Sequence, residues 1–125
     1  MVVVVKLAGR AAEPVVVGAP TAGAGGEGQS DLAAATSLLA ALRASYGLYD
    51  QLVWRAPPEA ASAVVNRDPA LRRKIEADLA RLYRQALRLM RERRPQVEAI
   101  ADQLLARRRL SGEEIRRIAA ASQTP

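Results

Sequence analysis

Apolar positions recur at spacings of three and four along most of this chain. Leu32, Ala35, Leu39, Leu42 and Tyr46 predict a helix from Asp31 to Tyr46. Ser30 or Asp31 can accept hydrogen bonds from its free first amides. Gly47 suits the left-handed position past its end, with Leu48 folding back on the last turn. Ile75, Leu79, Leu82, Ala86 and Leu89 step by four, three, four and three, a heptad-like seam that Tyr83, Leu87 and Met90 widen. Asp68 caps that helix and Pro69 takes its first position, where a missing amide hydrogen does no harm. Pro95 disfavours helical geometry in the residue before it and should end the helix near Arg94. A further helix starts at Pro95 and is expected to bury Val97, Ile100, Ala101, Leu104 and Leu105. Ser111 and Glu114 form a capping box, with Leu110 and Ile115 as its hydrophobic staple, and open the last helix.

The remaining stretches lack this period. Val2–Val5 alone favours a strand, because branched side chains fit a pleated surface. Lys6–Glu13 fits a helix that Pro14 should end or kink. Residues 18–30, with Gly18, Pro20, Gly23, Gly25, Gly26 and Gly28, predict an internal loop. They lack the Gly-Lys-Ser/Thr ending of a phosphate-binding loop. Residues 47–66 look irregular, with one short strand at Leu52–Trp54 and with Trp54 in the core. The expected fold is mainly α: about five helices in a compact bundle, at most one or two short strands, and one domain over residues 1–125.

Composition narrows the chemistry. The chain has 125 residues and contains no His, no Cys and no Phe. It therefore carries no disulfide, no thiol nucleophile, no His-based triad and no H-E-x-x-H motif. Half the residues are hydrophobic but only 3% are aromatic, so the core is made of Ala, Leu, Val and Ile. The net charge is +6, and residues 67–94 alone hold ten basic and four acidic side chains. That excess is mostly Arg, which suits forked contacts with carboxylates or phosphates. No apolar run is long enough to span a bilayer. A cysteine-free composition fits a cytoplasmic location.

One set of motifs points further. "LAGRAAE" at Leu7–Glu13 is followed by Gly18, Thr21–Ala24, "DLAAAT" at Asp31–Thr36 and "YGL" at Tyr46–Leu48. Toward the end comes "VEAIADQLLARRRLSGEEI" at Val97–Ile115. Together, and in this order, they resemble the peptidase domain of FtsH-like ATP-dependent zinc metalloproteases. The resemblance covers nearly the whole chain. Two features depart from the family pattern: the loop before Asp31 is longer and richer in Gly, and Pro14 stands where an acidic residue usually continues the helix.

The resemblance implies a protein-degrading endopeptidase. In that family two His of an H-E-x-x-H helix and a distant Asp hold the zinc, and the Glu between the His polarises the attacking water. The Asp maps onto Asp31, with Leu32 and Thr36 setting its helix. The His pair, an ATPase domain and any membrane anchor are expected upstream, which makes the chain the C-terminal part of a peptidase domain. Alone it is expected to be inactive, with no catalytic residue and neither zinc nor ATP bound. Protein substrates and a homo-oligomeric ring are the partners implied, with self-association through helix 69–94. A non-catalytic helical interaction module is the alternative. Specific nucleic-acid binding is a weaker one, since Glu76, Asp78 and Glu92 interrupt the basic helix and aromatic interleaving is almost absent.

Overall fold

The computed structural model describes residues 2–16, 30–49 and 52–122. Its elements are α1 (Val2–Val16), α2 (Asp31–Ala44), a 3-10 turn (Pro58–Ala60), α3 (Ala61–Arg67), α4 (Pro69–Glu92), α5 (Arg94–Arg107) and α6 (Gly112–Ala121). Among the described residues there are six α-helices and no strand. The mainly α expectation holds, with one helix more than expected.

The core is built by α1, α2 and α4. On α1, Val3, Val4, Leu7 and Ala11 are buried, a stripe of helical period. It faces α4 most extensively and α2 next. This corrects the expected strand at Val2–Val5. Branched side chains lower helix propensity only slightly, and burying alternate turns of the stripe outweighs it. The helix also continues past Pro14 to Val16 rather than stopping there. A proline so near the end of the helix deprives only the Arg10 carbonyl of a partner amide.

Helix α2 is packed on α1, α3 and α4. Ala35, Leu39, Ala40, Ala41 and Ala44 are its buried positions. The small alanines let neighbouring helices come close, and Leu39 is the large side chain they enclose. Leu32 and Leu42 are half-buried, while Tyr46 is exposed, so the last member of the expected stripe lies outside the core. The helix ends two residues earlier than expected. Gly47 then takes φ 59, the left-handed conformation anticipated for it. Around it the Tyr46 amide donates to the Ala41 carbonyl at 3.1 Å and the Leu48 amide to Leu42 at 3.3 Å.

Residues 52–55 are not a strand, and Trp54 is 63% exposed rather than in the core. The physical reason is local: the Arg55 amide donates to the Ala44 carbonyl and the Ser45 hydroxyl to the Ala56 carbonyl. These bonds fasten the returning chain to the end of α2 and leave Leu52–Trp54 outside the helical layers. The turn at Pro58 and helix α3 replace the irregular chain expected up to residue 66. Pro58 begins the turn, where proline is tolerated. Ala61 and Val65, four apart, bury α3 beside α2.

Helix α4 buries Leu71, Ile75, Asp78 and Ala86. Leu79, Leu82, Tyr83, Leu87, Leu89 and Met90 pack partly against that core. Helices α5 and α6 pack on each other and touch the core only lightly. Here the expected α5 stripe fails. Gln96 is its buried residue, and its amide donates to the Ala119 carbonyl of α6 at 3.1 Å. Val97, Ile100 and Ala101 are half-buried, Leu104 is exposed, and Leu105 is 83% exposed. A ten-residue α6 does not cover both ends of α5. The capping box at Ser111 and Glu114 is present, with both reciprocal bonds. The expected loop at residues 18–30 lies outside the described residues apart from Ser30.

Candidate functional site

The candidate metal ligand, Asp31, is the first residue of α2. Ser30 rather than Asp31 is the helix cap: its hydroxyl accepts from the Ala33 amide at 3.2 Å, and its carbonyl takes the Ala34 amide at 2.9 Å. The Asp31 side chain is thus released from capping. It is exposed, and among the described residues its carboxylate has no hydrogen-bond or ion-pair partner. It stands at the positive end of the helix dipole, which favours an anionic side chain there.

The helix behind Asp31 is held at several points. The Thr36 hydroxyl donates to the Leu32 carbonyl at 2.8 Å. The Ser37 and Ser62 hydroxyls are 3.3 Å apart and join α2 to α3. Near its C-terminus Arg43 makes a forked pair with Asp78 of α4, Nε to Oδ2 at 2.9 Å and Nη2 to Oδ1 at 3.2 Å. The Arg43 guanidinium also lies 4.2 Å from the centre of the Tyr49 ring. By sequence, Asp78 stands out only as an interruption of the basic helix. The signal was its place four residues before Leu82 and three after Ile75, on the apolar seam itself.

A second pair braces the start of α4. Asp68 accepts from the Ala70 and Leu71 amides, both at 3.1 Å, and from Arg55 Nη1 at 2.8 Å. The Leu71 amide, then the Arg55 side chain, holds its carboxyl below the usual carboxylate range. Arg55 also belongs to the segment pinned to α2 by the Ala44 carbonyl. Asp68 is thus both cap and anchor.

A zinc that hydrolyses peptides takes three protein ligands and keeps one position for water. Among the described residues no group of three or more His, Cys, Asp or Glu side chains is gathered to hold a metal. The whole chain contains neither His nor Cys. The donor set therefore does not fit a complete zinc centre. What it offers at this place is one carboxylate on a firmly held helix, and no hydrolytic step follows from these residues alone.

No helix among the described residues is long and apolar enough to cross a membrane. The family model of Peptidase family M41 matches residues 1–118. No curated protein and no solved structure matches the chain.

Proposed function

The chain belongs to peptidase family M41, and on that premise we propose that it is the helical scaffold of a zinc-dependent, ATP-driven protein-degrading site. Asp31 would supply one carboxylate to a zinc whose His ligands and catalytic Glu come from another segment. Helices α1, α2 and α4 would hold that carboxylate in place. The observation that carries this reading is the family match across residues 1–118, joined to an Asp31 that the fold leaves exposed and does not use as a cap.

By this reading the chain alone binds no stoichiometric zinc and cleaves no protein. Protein substrates, a homo-oligomeric ring and a cytoplasmic location belong to the complete enzyme. The test is casein hydrolysis by the purified chain with zinc and ATP, together with metal analysis after dialysis. No cleavage and no retained zinc are expected. Chelator-sensitive cleavage, or one tightly held zinc per chain, would overturn the proposal. Sequencing the DNA upstream of the Met1 codon tests the source of the missing ligands. An in-frame H-E-x-x-H supports the scaffold role.

A second reading, a non-catalytic interaction module, has one observation in its favour. Leu48, Leu52, Val53 and Trp54 are all exposed within a short segment, which suits contact with another protein. A stop codon directly upstream of Met1 would favour it.

A further inference from the structure

The basic excess of the chain is arranged, not scattered. Arg73, Arg81, Arg84, Arg88 and Arg91 fall on one side of α4 at helical spacing, turned away from Leu71, Ile75 and Ala86. All five are exposed. They span roughly 27 Å at the rise of an α-helix. Arg81, Arg84, Arg88 and Arg91 rim an open groove of about 360 Å³ with Leu87 in its wall. Arg91 also lines an adjoining groove with Pro14, Val15 and Arg94, where the end of α1 meets the end of α4.

These cations are treated differently from the others in the molecule. Arg43, Arg55, Arg94 and Arg107 each face a carboxylate within 2.9 Å. Arg73, Arg84, Arg88 and Arg91 have no ion-pair partner among the described residues. Arg81 reaches only Asp78, at 3.9 Å. Like charges three and four apart, as in Arg81–Arg84, Arg84–Arg88 and Arg88–Arg91, oppose helix formation. An external anion with matching spacing would remove that repulsion.

We propose that this face of α4 docks an acidic helical segment of another protein, with carboxylates at every third or fourth position and aliphatic side chains between them. Forked guanidinium contacts would take the carboxylates. Leu87, Pro14 and Val15 would take the aliphatic side chains. A second copy of this chain fits less well, because the acidic side chains of α5 and α6 are few (Glu98, Asp102, Glu113 and Glu114) and partly engaged. Arg94 already holds Glu98, and Arg107 holds Glu114. A single-stranded nucleic acid fits less well, because no aromatic side chain lines either groove to stack a base. The proposal does not depend on the zinc site.

The experiment is a titration of the full chain with a synthetic helical peptide carrying Glu at every third or fourth position and Leu between. It is read by fluorescence anisotropy in about 0.1 M salt, where charges beyond about 10 Å are screened. Arg84→Glu/Arg88→Glu is compared with Arg72→Glu/Arg109→Glu, which alters net charge equally at exposed places off this face. Circular dichroism verifies that both variants stay helical. The expected result is a loss of at least roughly tenfold in peptide affinity for the first variant and a much smaller loss for the second. Equal losses in the two variants, no loss in the first, or tighter binding of a single-stranded oligonucleotide than of the peptide would each overturn the proposal.

Discussion

Arg43 and Asp78 tie the end of the helix bearing Asp31 to the middle of the longest helix. The pair is forked, with Nε to Oδ2 at 2.9 Å, and the two side chains are only 12% and 10% exposed. A pair this sheltered is costly to break from one side, since the remaining side chain keeps its burial and loses its two forked bonds. Arg43→Ala or Asp78→Ala should lower stability by about 3 kcal/mol. The double variant Arg43→Leu/Asp78→Leu should recover much of that loss. Urea denaturation of the four proteins checks it, and a double variant no more stable than the single ones would contradict the prediction.

Ser30 and Asp31 are neighbours with separate tasks. Ser30→Ala removes the acceptor for the Ala33 amide and should cost about 1 kcal/mol. Asp31→Ala removes no described bond and should change stability by less than about 0.5 kcal/mol. Thermal melts distinguish them. In a complete M41 enzyme, loss of activity in an Asp31→Ala variant that melts normally would then report on a role of the carboxylate at the site rather than on folding.

Trp54 gives an optical test of the segment fastened to α2. Its emission should be water-like and readily quenched by acrylamide. Trp54→Ala should cost less than about 0.5 kcal/mol, as for other surface changes. A buried tryptophan would instead lose about 3–5 kcal/mol, so the denaturation midpoint decides between the two.

The capping box at α6 makes a pH prediction. The Ser111 amide, and after it the Arg107 side chain, lower the Glu114 carboxyl to about 2. In the unfolded chain it titrates near 4.5. A lowered native pKa means that its stabilisation is fully present above the unfolded value and is lost as pH falls from there toward 2. NMR titration of the Glu114 carboxyl, with amide exchange in α6, should show the last helix loosening within that window. Arg107→Ala removes the guanidinium that donates to Glu114 Oε1 and should move the Glu114 pKa upward, and an unmoved pKa would remove the Arg107 side chain as a cause.

What the sequence determined by itself is local and periodic. Asp68 as cap of α4, Pro69 at its first position, Gly47 in the left-handed conformation and the Ser111–Glu114 box all act within a few residues. Their chemistry is complete without the rest of the fold. The order of motifs from Leu7 to Ile115 likewise sufficed for the family resemblance. Tertiary structure decided whatever depended on distant partners. Val2–Val5 is helical because α2 and α4 offer a surface to bury a helical stripe. Trp54 is outside because Ala44 and Ser45 capture the backbone beside it. Leu105 is exposed because no described element reaches it. Asp78 is a brace because Arg43, thirty-five residues earlier, arrives opposite it. Periodicity states which face of a helix is apolar, but burial requires a second surface, and only the assembled fold supplies one.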